Sequence, residues 1–358
     1  MSLTLTLTER LARARGDLRM GVPVVLTGAG AAALVVAVEA LTSGRLAELR
    51  GLGVPELAIT ARRAATLKVA AYDGDVARLA LPPEAGVDWV AAVADPADDL
   101  GMPMKGPFRP LRGGDAALQR AGLLLAKSAW LLPAVVVVPV AAAGWPGLTV
   151  IAAAEALPAL QHPSPLHQVV AARLPMAASD AGRVHVFRPE DGGEEHYAIE
   201  IGRPDRDRPV LARLHSACFT GDVLGSLKCD CGPQLRAALV QMGAEGAGVL
   251  LYLNQEGRGI GLANKLRAYA LQDQGFDTVE ANHRLGFEDD ERDFRLGAAL
   301  LRQMGFSAVR LMTNNPRKVE VMAACGITVA ERVPLRGFET GANAGYLATK
   351  AAKSGHLL

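Results

Sequence analysis

The sequence predicts a two-domain protein of the α+β class, in which mixed sheets are packed with helices. The chain has 358 residues, about twice the length of a common domain. Half of its residues are hydrophobic and 21% are charged, which is typical of folded chains. Short apolar runs typical of strands alternate with segments of helical period along both halves.

A change in composition predicts where the two domains meet. The earlier part is rich in Ala, Val and Leu, whereas the later part carries clusters of Cys, His and Asn. Between them, LQHPSPLHQ contains Pro163 and Pro165 and is typical of a linker. We therefore expect a first domain at 1–160, a linker at 161–170 and a second domain at 171–358.

The first domain is expected to begin with alternating helices and strands. Its opening segments predict a helix at Leu11–Leu18, a strand at Val22–Leu26 and an Ala-rich helix at Ala31–Leu41. A TGAG turn at Thr27–Gly30 precedes the Ala-rich segment. A Gly-rich turn can cradle a phosphate, but without Lys or a full dinucleotide motif the sequence favours a plain tight turn.

An uncharged run at 128–154 is long enough to cross a bilayer. Three prolines and two glycines divide the run, and its β-branched residues fall into the stretches Val135–Val138 and Leu148–Ile151. Such stretches, bounded by turn residues, are typical of strands that are covered on both faces. The sequence therefore favours two buried strands over a membrane span.

The second half is expected to open with strands and then to alternate helix and strand. The predicted strands are Val184–Phe187, His196–Ile201, Val210–His215, Gly248–Leu253 and Ala308–Met312. The predicted helices are Asn264–Gln274 and Phe294–Met304.

The balance of charges excludes several classes of partner. Lys and Arg number 38 and Asp and Glu number 37, so the chain lacks the basic excess of a general nucleic-acid or membrane-surface binder. The segment MSLTLTLTERLARARGD lacks the apolar core and cleavage site of a signal peptide. Four cysteines in so long a chain predict free thiols in a reducing compartment. We expect a cytoplasmic protein that binds neither nucleic acid nor membranes.

Three cysteines form the strongest chemical motif. Cys218, Cys229 and Cys231 have C-x10-C-x-C spacing, and the turn at 220–222 can fold the first cysteine back onto the others. Three protein ligands would leave one position of a zinc ion open for water or substrate, as in catalytic sites. A fourth ligand such as His215 would make the site structural, and three buried thiols without metal are a further alternative. The fourth cysteine, Cys325, is expected to be a core residue.

Two segments carry the residue types that bind anions. QEGRGIG at 255–261 follows a predicted strand and precedes a predicted helix, where backbone N–H groups can meet a phosphate. TNNPRKVE places Thr313 after a strand and Lys318 in the next helical turn. A tight turn with solvated basic residues explains the first segment equally well.

The stretch DDERDF offers a weaker signal. Asp290 and Arg292 are separated by one residue and would face the same way if the chain is extended there. The residues alone favour a different interpretation, a solvated acidic turn that opens the helix at Phe294.

These motifs together resemble the GTP cyclohydrolase II family. The resemblance rests on RLHSACFTGDVLGSLKCDCGPQL, NQEGRGIGLANKLRAYALQDQGFDTVEANHRLGF, DERDF and TNNPRKVE, and it extends from about residue 170 to the terminal GHLL. It implies a C-terminal GTP cyclohydrolase II-like domain and a zinc-dependent hydrolase that opens the imidazole ring of GTP at the first step of riboflavin biosynthesis. The implied products are formate, pyrophosphate and 2,5-diamino-6-ribosylamino-4(3H)-pyrimidinone 5′-phosphate.

The resemblance also implies a role for individual residues. Cys218, Cys229 and Cys231 would bind one catalytic Zn²⁺ per chain, and Mg²⁺ would accompany the GTP polyphosphate. Asp290 would be the general base, Arg292 the group that attacks the α-phosphate, and Tyr269 an aromatic group near the purine. A homodimer is implied as well. The implied GTP-binding residues are Arg213, Leu214, His215, Ser216, Ala217, Gln234, Glu256, Gly257, Arg258, Thr278, Thr313 and Lys318.

One departure from the family pattern bears on activity. Ala217 stands where the family usually has Glu, and loss of a carboxylate beside a metal ligand lowers metal affinity or rate by about 10–100-fold. An alternative function is therefore an impaired paralogue that senses a purine nucleotide. A different purine or pyrimidine ring hydrolase and a zinc-based nucleic-acid module are further, less favoured alternatives.

The first half resembles a degenerate 3,4-dihydroxy-2-butanone 4-phosphate synthase domain. The resemblance rests on GVPVVL, ELAITARRAATL and PLRGGDAALQRAGLLL. The acidic metal-binding loop of that family is replaced by TGAGAAA, and its His-Thr-Glu site by Asp115, Ala116 and Ala117. Without clustered carboxylates to bind Mg²⁺ and move protons, we expect a domain that has no synthase activity.

Overall fold

The structure of the protein is a computed structural model that describes residues 3–141 and 144–335. The described residues form thirteen strands and twelve α-helices. The strands are β1 (Val24–Gly28), β2 (Ala31–Ala37), β3 (Glu56–Thr60), β4 (Val76–Ala80), β5 (Ala134–Val140), β6 (Thr149–Ala152), β7 (Leu166–Arg173), β8 (Gly182–Pro189), β9 (His196–Ile201), β10 (Val210–Ser216), β11 (Gly248–Leu253), β12 (Ala308–Met312) and β13 (Thr328–Val333). The helices are α1 (Leu7–Arg19), α2 (Ser43–Leu52), α3 (Ala61–Thr66), α4 (Val87–Ala94), α5 (Ala117–Ser128), α6 (Ala153–Leu160), α7 (Phe219–Asp222), α8 (Cys231–Glu245), α9 (Leu262–Asp273), α10 (Thr278–Arg284), α11 (Arg295–Gln303) and α12 (Pro316–Ala324).

Packing divides the chain into two compact units. The first unit comprises Met1–His162 and Ala263–Glu291, and the second comprises Pro163–Leu262 and Arg292–Leu358. Two mixed sheets with helices confirm the predicted fold class. The packing of 263–291 with the first unit is not predicted by the sequence, and the limits 1–160, 161–170 and 171–358 stay a prediction. The GHLL end of the resemblance lies outside the described residues.

The first unit is built on a six-stranded sheet in the order β4-β3-β5-β2-β1-β6. β1 and β6 are parallel, and the other neighbouring strands are antiparallel. Val35 and Val137 belong to an apolar cluster on one face, whereas Val36 and Val136 belong to a cluster on the other. Burial on both faces explains the continuous apolar runs in this half of the sequence.

One predicted element of the first unit is wrong. The Ala-rich segment expected to be a helix at Ala31–Leu41 is strand β2, which pairs with β1 in an antiparallel hairpin and ends in a short 3₁₀ turn. Strong helix propensity of alanine is overridden here because the β-branched Val35 and Val36 are buried on opposite faces of the sheet. The TGAG turn connects the two strands, with Gly30 at a φ of 74° that favours glycine.

The uncharged run at 128–154 forms β5 and β6, as predicted. Across the described ranges, no helix is long and apolar enough to cross a membrane. Of the predictions for the second half, His196–Ile201, Gly248–Leu253 and Ala308–Met312 coincide with β9, β11 and β12.

The second unit is built on a seven-stranded sheet in the order β13-β12-β10-β11-β9-β8-β7. β10 is central and runs parallel to β11 and β12, so the carboxyl ends of these three strands lie at the same edge. The helix α8 packs on one face through Ala238 and Met242, and α11 and α12 cover the other. The edge at which parallel strands end is where ligands of such sheets commonly bind.

Candidate active site

Three cysteines converge just beyond the carboxyl end of β10. Cys218 caps the one-turn helix α7, and Cys231 begins α8. The three sulfur atoms lie within 4.8 Å of one another, and the Sγ atoms of Cys218 and Cys229 are 3.7 Å apart. In the part of the chain that the structure describes, they are the one group of His, Cys, Asp and Glu side chains that could hold a metal ion.

The cysteine cluster has room because two nearby residues, Gly221 and Gly232, have no side chain. A Cβ atom on Gly221 would lie 2.7 Å from Cys229 Sγ and 3.1 Å from Cys218 Sγ. A Cβ atom on Gly232 would lie 2.1 Å from the carbonyl oxygen of Gly221. Glycine at both positions is therefore required for α7 to fold back against the start of α8.

The donor set fits zinc. Zinc–sulfur bonds of about 2.3 Å in tetrahedral geometry place two thiolates about 3.8 Å apart, close to the 3.7 Å between Cys218 and Cys229. The neighbouring thiols, together with burial, raise the pKa of Cys231 well above its ordinary value. A bound cation would favour the thiolates that this crowding otherwise disfavours. Cys325 packs against the apolar core, as predicted.

The Asp222 side chain connects the first cysteine to two neighbouring strands. Its Oδ2 atom accepts hydrogen bonds from the backbone N–H of Cys218 at 3.0 Å and from the Tyr252 hydroxyl at 2.9 Å. The Nε2 atom of His215 lies 3.0 Å from the same oxygen. Burial lowers the pKa of His215, so a neutral ring with its proton on Nε2 can donate to Asp222.

Sequence reasoning missed Asp222 and Tyr252. The available signal was the TGD turn directly after Cys218, since an aspartate there can reach back to nearby backbone N–H groups. Tyr252 is distant in sequence and is brought close because β11 pairs with β10, which places it opposite His215.

A buried cation lies on the α8 face of β10. Nη2 of Arg213 donates to Gln234 Oε1 at 2.6 Å, and Gln234 Nε2 donates to Asp230 Oδ2 at 2.5 Å. Burial lowers the pKa of Arg213 to about 10, so the guanidinium stays charged at neutral pH. Its Nε atom is buried and has no hydrogen-bond partner among the described residues.

The Gly-rich loop after β11 is tied to the cysteine loop. Glu256 Oε2 accepts the backbone N–H of Phe219 at 2.6 Å, and its Oε1 accepts that of Gly257 at 3.0 Å. Gly257 and Arg258 both have left-handed φ values, 65° and 63°. For a non-glycine residue such as Arg258 this conformation costs free energy and often occurs at functional sites.

Two further cations surround one aromatic ring. The guanidinium carbon of Arg292 lies 4.9 Å from the centre of the Phe294 ring, and Lys318 Nζ lies 5.0 Å from it. Arg292 Nη1 also donates to Ser216 Oγ at 3.4 Å, and Lys318 Nζ donates to the Leu214 carbonyl at 2.8 Å. Arg213 lies on β10, Arg292 just before α11, and Lys318 on α12. Their positive charges therefore lie at one edge of the sheet.

Three further predicted residues of the second unit, Leu214, Ala217 and Thr313, make packing or hydrogen-bond contacts within that unit. The Leu214 side chain is buried against Gly297 in the core. The Ala217 N–H donates to the Leu253 carbonyl at 2.8 Å. Thr313, directly after β12, accepts the N–H of Asn315 at 3.0 Å through its hydroxyl.

Three predicted residues belong to the first unit. Tyr269 lies on α9, with Lys265 Nζ 5.7 Å from its ring centre. Thr278 is the first residue of α10 and accepts a hydrogen bond from Gln272 Nε2 at 3.2 Å. Asp290 is half-buried in the loop that follows α10. The cysteines and most predicted GTP-binding residues thus share the second unit, whereas these three residues do not.

Comparisons with known proteins identify relatives for nearly the whole chain. The sequence profile of GTP cyclohydrolase II matches residues 167–334. GTP cyclohydrolase-2 of Azospirillum brasilense is 46% identical over 96% of this chain and 93% of its own length. GTP cyclohydrolase-2 of Azotobacter vinelandii is 59% identical over 49% of this chain and 84% of its own length.

A solved structure gives a weaker likeness. A two-domain 3,4-dihydroxy-2-butanone 4-phosphate synthase from A. baumannii covers 92% of this chain and 99% of its own, at 14% sequence identity. The TM-score is 0.32.

Proposed function

Because the chain belongs to the GTP cyclohydrolase-2 family, we propose that it is a zinc-dependent hydrolase that opens the imidazole ring of GTP. Formate and pyrophosphate would be released, together with the diaminopyrimidinone nucleotide named above, at the first step of riboflavin biosynthesis. The observation that carries the proposal is the cluster of Cys218, Cys229 and Cys231, since three sulfurs with 3.7 Å between two of them suit a zinc ion.

The three cysteines would hold one zinc ion with a position left open. Zinc in such a site activates water for attack on an electron-poor carbon, which here would be the carbon between the two imidazole nitrogens. Asp222 would keep the first ligand in place through the Cys218 N–H. Glu256 would keep the adjacent backbone in place through the Phe219 N–H.

The cations at the edge of the second sheet would bind the triphosphate. Arg213 and Lys318 are buried, and a buried cation interacts strongly with an anion that reaches it. The left-handed turn at Gly257 and Arg258 would place further donors at the phosphates. We infer that Mg²⁺ neutralises part of the polyphosphate charge, as the family resemblance implies.

The chemical roles of the remaining residues follow the resemblance. We assign Asp290 as the general base and Tyr269 as the residue beside the purine. Arg292 would be essential for the step at the α-phosphate. A guanidinium that stays protonated is a poor nucleophile, so its positive charge is the property that we expect this step to need.

The test combines metal analysis with product analysis. We expect about one zinc per wild-type chain and release of formate and pyrophosphate from GTP with Mg²⁺, and we expect Cys229→Ser to lose formate release. Cys325→Ser, a cysteine change outside the cluster, is the matched control. A wild-type protein that has zinc but releases no formate would contradict the proposal.

A second candidate function is a nucleotide sensor. It is favoured by Ala217, which replaces the usual glutamate, and by the loss of the acidic loop at Thr27–Ala33. Such a protein would bind GTP and zinc without releasing formate, so the same experiment separates the two functions.

The first half is proposed to have no 3,4-dihydroxy-2-butanone 4-phosphate synthase activity, because Asp115, Ala116 and Ala117 cannot replace a His-Thr-Glu site. We also propose a homodimer in the cytoplasm, as the family resemblance implies. A synthase assay of the purified full-length chain tests the absence of synthase activity, and sedimentation of the same protein tests the homodimer.

A further inference from the structure

The loop that carries Asp290 is held by side chains from the first half of the chain. We propose that Lys127 and Arg62 are positioning residues for this loop, residues 286–291, which we call the Asp290 loop. The proposal gives the first half a task in the reaction and rests on the proposed role of Asp290 as general base. All residues concerned belong to the first unit.

The Asp290 loop begins at a tightly packed glycine. The Thr60 hydroxyl donates to the Gly286 carbonyl at 2.8 Å, and both groups are buried. Gly286 has a φ of 87°, and a Cβ atom there would lie 2.8 Å from Thr60 Oγ1 and 2.9 Å from Pro133 Cγ. The next residue, Phe287, is only 1% exposed. The start of the loop is therefore fixed against the first half of the chain.

Ion pairs then hold the loop on both sides of Asp290. Before it, Arg62 donates to Glu288 Oε2 through Nη2 at 2.7 Å and through Nε at 2.9 Å. After it, Lys127 Nζ donates to Glu291 Oε1 at 2.6 Å. The same Oε1 atom accepts the backbone N–H of Glu288 at 2.9 Å. A hydrogen bond therefore links residues 288 and 291, which lie on either side of Asp290.

The loop has no regular structure of its own, so side-chain contacts fix its course. Asn282 and His283 of α10 also contact it, at the Glu288 carbonyl and the Asp289 carboxylate. Residues 287–293 belong to no helix or strand. A general base must lie within hydrogen-bond distance of the proton that it takes, and a displacement of about 1 Å can lower the rate about a hundredfold. Contacts that fix Glu288 and Glu291 therefore restrict where the Asp290 carboxylate lies.

The two ion pairs differ in exposure. Arg62 and Glu288 are 45% and 53% exposed, whereas Lys127 and Glu291 are 20% and 23% exposed. Exposed pairs are weakened by water and salt. Lys127 also lies 5.7 Å from the centre of the Phe287 ring, which gives it a second contact with the loop. We therefore expect the larger effect from Lys127.

The experiment uses the full-length zinc enzyme with Lys127→Ala, Arg62→Ala and a control, Arg120→Ala. Arg120 lies on α5 like Lys127 and forms an ion pair with Asp75 at 2.6 Å. We expect Lys127→Ala to lower kcat for formate release at least about tenfold, with the KM for GTP and the zinc content unchanged. Arg62→Ala should lower kcat less, and Arg120→Ala should leave it unchanged.

Two further measurements separate positioning from general destabilisation. Amide hydrogen exchange in peptides covering 286–291 should quicken in Lys127→Ala and stay as in the wild type in Arg120→Ala. The conservative variant Lys127→Arg keeps the positive charge and leaves the Glu291 carboxylate in place to accept the Glu288 N–H, so it should retain most of the wild-type kcat.

Wild-type kcat in Lys127→Ala would overturn the proposal, as would unchanged hydrogen exchange in the loop or a Lys127→Arg variant as slow as Lys127→Ala. If the wild type itself releases no formate, the proposed function fails. The exchange experiment then still decides whether Lys127 holds the loop.

Discussion

Asp222 Oδ2 accepts the backbone N–H of Cys218 at 3.0 Å, so the last residue of the α7 turn fixes the first cysteine of the cluster. The carboxylate also accepts the Tyr252 hydroxyl and is only 4% exposed. One buried side chain therefore sets the positions of groups from β11 and the cysteine loop.

Asp222→Ala is expected to weaken zinc binding by about 10–100-fold, because buried groups that orient metal ligands commonly contribute this much. Competition with a chromophoric chelator measures the affinity. The exposed Asp205→Ala serves as control. Equal zinc affinity in Asp222→Ala and the wild type would show that the cysteines need no such support.

Gly221→Ala is expected to lower the zinc content well below one ion per chain. The added Cβ atom would lie 2.7 Å from Cys229 Sγ and would force the sulfurs apart. Gly16→Ala is the control, because a Cβ atom there meets nothing within 4 Å, and it should stabilise α1 by about 0.5–1 kcal/mol. Full zinc loading of Gly221→Ala, measured by atomic absorption, would contradict the packing argument.

Ala217→Glu is expected to raise zinc affinity or kcat by about 10–100-fold, since it restores the carboxylate that the family usually has beside the first cysteine. Formate release and chelator competition are the two measurements. Ala217→Gln is the control, because glutamine has the size of glutamate without its negative charge. If Ala217→Glu changes neither quantity, the chain compensates for the missing carboxylate elsewhere.

The stability of the second unit is expected to fall as the pH is lowered through the titration of His196. Burial lowers the pKa of His196 from 6.5 to about 4, and its Nδ1 accepts the N–H of Asn254 at 3.0 Å. Between these two values the unfolded chain binds a proton that the folded chain does not. The free energy of unfolding therefore rises with pH in this window, by up to about 3 kcal/mol in total.

Urea denaturation between about pH 4.5 and 7.5 tests this dependence on His196. His196→Gln should flatten the pH dependence, whereas the exposed His162→Gln should not. If the free energy of unfolding changes with pH equally in His196→Gln and in the wild type, groups other than His196 cause the pH dependence.

Asp99→Asn is expected to destabilise the first unit by about 3–5 kcal/mol. Burial raises the pKa of Asp99, but the hydrogen bonds and charges of Arg63 and Lys105 hold it below its ordinary value. Arg63 and Lys105 are 1% and 3% exposed, so the neutral side chain would leave two buried cations uncompensated. Thermal unfolding measures the loss, with the exposed Asp98→Asn as control; a loss equal to that of the control would contradict the argument.

The sequence predicted the parts of the fold that hydrophobic pattern determines. Strands such as Gly248–Leu253 are short apolar runs bounded by glycine and asparagine, and a sheet is the structure that buries them on both faces. Ala31–Ala37 was mispredicted because alanine suits both helix and strand. Its pairing with β1 depends on residues that a local pattern does not contain.

Some residues of the candidate site could be predicted from the sequence and others could not. The spacing of the three cysteines was enough to predict their cluster. Asp290 and Arg292 were predicted only from the family resemblance, because their local sequence is typical of an ordinary acidic turn. Asp222 and Tyr252 were missed because their contact depends on the pairing of β10 with β11. The packing of 263–291 with the first unit was also missed, since no sequence motif spans that distance.

The ion pairs around the Asp290 loop have a consequence for how such chains can be recombined. Arg62 and Lys127 come from the first 162 residues, and their partners Glu288 and Glu291 come from a segment more than a hundred residues later. A chimaera that takes its first half from a relative must therefore also take a compatible loop. The halves of this chain are not interchangeable modules, even though only one of them carries the cysteine cluster.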